Sequence, residues 1–256
     1  MEDLSRRGVL KLSTWAAAAA GAVALPAVSQ DTRTVRKTKV LFVGAHPDDV
    51  EGAAGGTMAR YADQGHDVVA LYLTRGEAGM KGKSHDEAGA IRAAQAEKAC
   101  ALLKIRARFS DQIDGTTEVN PARCDAFRKT LEEEKPDLVY TWWPINSHRD
   151  HRNVFGLVYD AWLKSKGSFE LFFFENAGTQ LFQPTHYVDI TATEARKKEA
   201  CFLHTWYKDR PDLDLYTNVD FMHRARGQEA GCKYAEAFIR HSKNRGAELP
   251  LPIARS

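Results

Sequence analysis

Short β-rich apolar runs alternate with longer helical stretches along most of this 256-residue chain. The pattern predicts strands over 39–43, 68–73, 106–109, 137–142, 170–174 and 187–190. It predicts helices over 57–64, 86–103, 121–134, 153–164, 192–203 and 232–240, and a polar, glycine-containing loop over 44–56. Parallel strands need long crossovers, and helices supply them. The alternation therefore implies an α/β fold, with a parallel sheet covered by helices on both faces. Hydrophobic residues are 43% of the chain, enough to fill such a core. Sheets of this kind bind ligands beyond the carboxyl ends of their strands.

The first thirty residues read as an address. Arg6-Arg7 precedes an alanine-rich, weakly apolar stretch from Leu12 to Leu25, and Pro26-Ala27-Val28-Ser29 supplies small residues for cleavage. This order resembles a twin-arginine export signal, whose cargo crosses already folded. The expectation is a signal over 1–30 and a single domain over 31–256, exported by that machinery to the periplasm or beyond. No cysteine sits at the signal's exit, and no apolar run reaches the roughly 18 residues of a membrane span, so no stable anchor is expected. Lys plus Arg is 36 against 34 for Asp plus Glu, which lacks the basic excess of a nucleic-acid binder. Cys100, Cys124, Cys201 and Cys232 form no CxxC pair, which excludes a cysteine zinc finger.

Chemistry concentrates at two predicted strand ends. The first strand runs into Ala45-His46-Pro47-Asp48-Asp49-Val50-Glu51, and the fourth leads to Asn146-Ser147-His148-Arg149-Asp150-His151. Imidazole plus carboxylate suits zinc with a position left for water. His46 and Asp49 reach one ion from a tight turn, with His151 as a third ligand from the other segment. Asp48 then lies beside the metal and uncommitted, as a general base for water. His148, oriented and kept protonated by Asp150, is placed to stabilise an oxyanion. The plainer alternative is that Asp48 or Asp49 caps a helix and that His148 and His151 are solvated loop residues. Of the adjacent Trp142 and Trp143, which face opposite ways in a strand, one packs in the core and the other is a candidate to stack on a sugar. His204 either lines the pocket or binds carbonyls at a helix end.

At these residues the sequence resembles the PIG-L/LmbE family of zinc-dependent N-deacetylases. His46-Pro47-Asp48-Asp49 and His148-Arg149-Asp150-His151 match the two family motifs. Thr74-Arg75-Gly76-Glu77-Ala78-Gly79, the helix from Arg92 to Leu103, Asp114-Gly115 and Tyr234–Phe238 extend the likeness through most of the mature chain. The resemblance implies a Rossmann-like, mostly parallel sheet. It implies zinc, or another divalent ion, on His46, Asp49 and His151, with Asp48 as base and His148 with Asp150 at the oxyanion. It also implies Arg92 and Asp114 as sugar-binding residues, a small-molecule or glycan substrate bearing N-acetylglucosamine, and acetate as product. Gln95 and Lys104 depart from the family's frequent Glu and Gly. Two alternatives stand beside this reading: hydrolysis of another amide, such as a thiol conjugate or an acyl sugar, and a sugar-binding protein without catalysis.

Overall fold

The strands are β1 (Lys39–Gly44), β2 (Asp67–Tyr72), β3 (Arg106–Phe109), β4 (Leu138–Trp142), β5 (Glu170–Phe174), β6 (His186–Asp189), β7 (Ala235–Arg240) and β8 (Ala254–Arg255). They form one sheet in the order β3-β2-β1-β4-β5-β7-β6-β8. The first five positions are parallel, with Phe42 opposite both Ala70 and Tyr140. From β7 outward the pairing turns antiparallel. The expected α/β, mostly parallel architecture is what this computed structural model shows, for the described residues 37–209, 215–244 and 254–255. The signal expected over 1–30 lies outside them. Among the described residues, no helix is long and apolar enough to cross a membrane.

Val40, Leu41, Phe42 and Val43 are fully buried, as expected of a central strand covered on both faces. Around the sheet pack α1 (Asp49–Asp63), α2 (His85–Leu103), α3 (Pro121–Glu134), α4 (Arg149–Lys164), α5 (Glu194–Phe202) and α6 (Leu215–Ala230). Lys104, at the family's frequent Gly, ends α2 with φ 61°, the left-handed conformation for which Gly is the usual choice.

Three expectations need correction. The loop expected over 44–56 is helical from Asp49 onward. Two of its glycines are packing residues: a Cβ on Gly55 would lie 3.0 Å from Lys197 Cγ, and one on Gly56 2.6 Å from Ile190 Cβ. The helix is broken at Ala54 (φ −144°), and the expected start at 57 falls just past this kink. The Glu236 carboxylate accepts the N–H groups of Gly56 at 2.9 Å and Thr57 at 2.7 Å, capping the second half from a distant strand. Second, α4 starts at Arg149 and not at 153, so the second motif occupies its first turn. Third, the helix expected over 232–240 is strand β7. Its Ala- and Glu-rich sequence favours helix, but Ala235, Glu236, Ala237 and Phe238 are all buried between β5 and β6. Tertiary burial overrides the local preference. Helix α6 has no counterpart in the sequence reading.

Candidate active site

Strand order reverses direction between β1 and β4, since β1 continues to β2 on one side while β4 leads to β5 on the other. That reversal is the switch point at which open α/β sheets bind ligands. Both motifs lie there. His46-Pro47-Asp48-Asp49 turns from β1 into α1, and Asn146–His151 leads from β4 into α4. Asp49 Oδ2 accepts the N–H groups of Ala45 at 2.7 Å and His46 at 2.8 Å, which fixes the turn. Asp48 sits at φ 105°, a strained conformation for a residue with a Cβ.

Asp49 joins the two segments. Its Oδ1 is 3.2 Å from His151 Nε2, and its Oδ2 is 3.5 Å from His46 Nδ1. Burial works against its charge, yet His151 and His46 hold its carboxyl well below the usual range. Ligand atoms of His46, His148 and His151 lie within 4.8 Å of one another, as do those of His46, Asp114 and Asp150. His46 Nε2 is 3.1 Å from Asp114 Oδ1 and 3.3 Å from Asp150 Oδ2. His151 Nδ1 lies 3.2 Å from Asn146 Oδ1, an outer partner of the kind that orients a ligand histidine. Its ring stacks on Trp142 with centroids 4.0 Å apart. This set of imidazoles and carboxylates, buried or half-buried except for the exposed His148, fits a divalent cation.

Asp48 lies to one side of that set. Burial pushes its carboxyl up, as does the charge of Asp49, while Arg92, His204 and Trp206 act the other way. A raised carboxyl suits a base working near neutral pH. Arg92 Nη2 donates to Pro47 O at 2.7 Å and approaches Asp48 Oδ1 at 3.5 Å. The Trp206 indole N–H donates to Asp48 Oδ2. The glycines of the Thr74–Gly79 motif make room for Arg92: a Cβ on Gly79 would sit 2.0 Å from its Nη1.

Asp150 has partners other than those expected. Its carboxylate accepts the Gly115 N–H at 2.9 Å and the Thr117 hydroxyl at 2.7 Å, and it faces His46. Its contact with His148 is through the backbone, where the Asp150 N–H donates to His148 Nδ1 at 3.2 Å. His148 thus caps α4. Burial, with His151 and His46 nearby, pushes His148 below its ordinary value, so the neutral form is favoured rather than the protonated one. With Nδ1 accepting, the ring proton of neutral His148 belongs on Nε2.

All eight residues singled out from the sequence converge on this region. Seven of them, all but Asp150, line one cavity of about 480 Å³, together with His204 and Trp206. Asp114 touches His46 directly, closer to the ligand cluster than a purely sugar-binding place implies. His204 is fully buried and bonds Glu51 across 3.0 Å rather than capping a helix end. Trp142 is buried against His151, while Trp143 packs edge-on to Phe173. Sequence reading missed Trp206, Thr117 and Asn146. No local signal marks the first two; Asn146 is adjacent to the second motif. Gln95, the other family departure, bonds Thr205 through Nε2 to Oγ1 at 2.7 Å and so pins the segment carrying Trp206.

The fold and the cluster define a doubly wound α/β protein with a candidate metal-binding hydrolytic site at its switch point. Residues 41–162 match the family described as PIG-L: GlcNAc-PI de-N-acetylase. A 1D-myo-inositol 2-acetamido-2-deoxy-alpha-D-glucopyranoside deacetylase from Rhodococcus erythropolis is 32% identical over 148 residues, 46% of this chain and 50% of that protein. The diacetylchitobiose deacetylase of Thermococcus kodakarensis is 36% identical over 126 residues, 45% of this chain and 46% of that one. The chain thus spans about half the length of these curated relatives. The N,N'-diacetylchitobiose deacetylase of Pyrococcus horikoshii shares the fold, with a TM-score of 0.72 at 24% identity over 80% of this chain and 84% of that one.

Proposed function

We propose that this chain is a zinc-dependent N-deacetylase that hydrolyses the acetamide of an N-acetylglucosamine-type substrate to amine and acetate. The observation that carries the reading is the meeting of His46, Asp49, His148 and His151 beside Asp48 at the switch point. The named activities of the relatives support it.

His46, Asp49 and His151 would hold the ion, whose charge would polarise the amide carbonyl and acidify a nearby water. The protein's own groups do the rest. Asp48 takes a proton from water, and the oxygen attacks the carbonyl carbon. The carbonyl oxygen gains negative charge, and His148 donates Nε2–H to it. Asp48, now a carboxylic acid, gives its proton to the amide nitrogen as the C–N bond breaks. Arg92 and Trp206 orient the Asp48 carboxylate. Asp150 positions His46 and anchors the Asp114-Gly115 turn. Arg92 and Asp114, both at the cavity wall, are offered as sugar contacts.

Export belongs to the same reading. The order of charge, apolar run and small residues supports a twin-arginine signal over 1–30 ahead of one domain over 31–256. Changing Arg6 and Arg7 together to Lys should keep a fused reporter in the cytoplasm; unchanged export would remove the assignment.

Acetate release tests the activity. Protein stripped by a chelator should be inactive on a panel of N-acetylglucosamine compounds and regain activity with zinc. Equal release before and after stripping, or none on any compound after zinc is restored, would contradict the reading.

A further inference from the structure

The cavity has two unlike sides. One is the cluster described above. The other is built from the end of α5, the segment after it, and one face of α6. Tyr216, Val219 and Met222 recur every three residues along α6, so they share a face, and that face looks into the cavity. Phe202 and Cys201 continue it from α5, and Trp206 closes it toward Asp48. The Phe202 and Tyr216 rings are 5.4 Å apart.

This side offers little to a sugar hydroxyl. The Tyr216 hydroxyl donates to the Glu194 carboxylate, leaving its ring to face the cavity. Burial pushes the Cys201 thiol up to about 12, so it stays neutral and behaves as a small apolar group. The Trp206 N–H already has Asp48 as acceptor. Among the described cavity residues the amide side chains are Asn218, on α6, and Asn176, which lies after β5 and away from this wall. Phe202 remains 47% exposed at the rim, so the apolar surface extends toward solvent. A hydroxyl desolvated against such a surface without a partner is disfavoured, because it loses its hydrogen bonds to water and gains none. An alkyl group there is favoured, because each buried methylene removes apolar surface from water.

We infer that the site takes N-acylated glucosamine compounds carrying an apolar substituent of several carbons, which packs on the wall formed by Phe202, Trp206, Tyr216, Val219 and Met222. The inference rests on the proposed amino-sugar amidohydrolase reading and narrows it. The substituent has two possible sources, the group on the anomeric oxygen and the acyl chain on nitrogen. Both place the same chemistry against the wall.

The test is calorimetric binding to the zinc-supplemented Asp48→Asn protein, with turnover by the native protein in parallel. The probes are N-acetylglucosamine, its n-hexyl β-glycoside and N-hexanoylglucosamine. At least one hexyl compound should bind about 10-fold or more tighter than N-acetylglucosamine, and the better one identifies the source. Met222→Asn should reduce that preference severalfold. Three affinities within about 2-fold of one another would overturn the inference, as would a preference untouched by both Met222→Asn and Val219→Asn. Because binding is read separately, a binding preference without any turnover would instead count against the deacetylase reading and leave the wall assignment standing.

Discussion

The parallel strands β3, β2, β1, β4 and β5 and the antiparallel pair β7 and β6 contribute differently to one cavity. Every member of the His/Asp cluster follows a parallel strand or sits on a helix that does: His46 and Asp49 after β1, Asp114 after β3, and His148, Asp150 and His151 after β4. Among the described residues, the antiparallel end contributes no ligand-type residue to it. Instead α5 and α6 bring the apolar wall, and the segment after α5 brings Trp206 to the candidate base. The parallel part thus carries the groups for bond breaking, while the antiparallel part shapes the space beside them. Switch-point sites in general divide the same way: chemistry is fixed by strand ends, and fit is set by whatever covers them.

The two parts are nonetheless tied through a buried ion pair. Lys197 on α5 and Glu236 on β7 are completely buried, with Nζ 2.6 Å from Oε1, and Glu236 caps the inner half of α1. If the antiparallel end were a detachable cover, breaking this pair would matter little. Lys197→Met leaves Glu236 charged and unpaired in the core, and should cost about 3–5 kcal/mol in urea unfolding. Adding Glu236→Gln should recover part of that loss. A cost below about 1 kcal/mol would show that the two parts are energetically separate.

A second prediction sharpens the parallel side. His151→Ala removes one proposed ligand and should lower zinc affinity by at least about 10-fold, the size seen on removing an outer partner alone. Metal content after dialysis checks it, and native stoichiometry in the variant would remove His151 from the ligand set.

The smallest effect lies far from the cavity, where α3 meets the outer parallel strand. Burial opposes charge on Glu134, but Arg106, Lys39 and Arg108 hold its carboxyl down to about 2. Their nitrogens lie 2.8, 2.8 and 2.7 Å from it. A carboxyl lowered in the folded state contributes stability above its unfolded value, and loses it as pH falls toward the folded one. Native protein should therefore exceed Glu134→Gln by about 1 kcal/mol or less per pair at neutral pH. The gap should narrow between pH 4.5 and about 2. A gap independent of pH would dismiss the network as a source of stability.

The parallel part is legible in the sequence because its signals are local. β1, β2, β4 and β5 are short, mostly buried runs, and His46–Asp49 and His148–His151 carry their chemistry in four consecutive residues. The antiparallel part is not, because its determinants are distant. Glu236 reads as a helix former until Lys197 and the open amides of α1 are seen around it. The glycines of α1 read as loop until Ile190 and Lys197 are found against Gly56 and Gly55. Trp206 lies 158 residues from Asp48 in sequence, and nothing near it in the chain marks it as a neighbour of a base. Asp150 shows the limit within the motif itself: its spacing suggests a hold on the His148 ring, whereas Thr117 and Gly115, from another loop, take its carboxylate.

The most direct test of the central claim compares native protein with Asp48→Asn at equal zinc content, following acetate release from the best N-acetylglucosamine compound. The account predicts that the variant keeps its zinc and loses at least about 10²-fold in rate. Equal rates at equal zinc content would contradict Asp48 as the base.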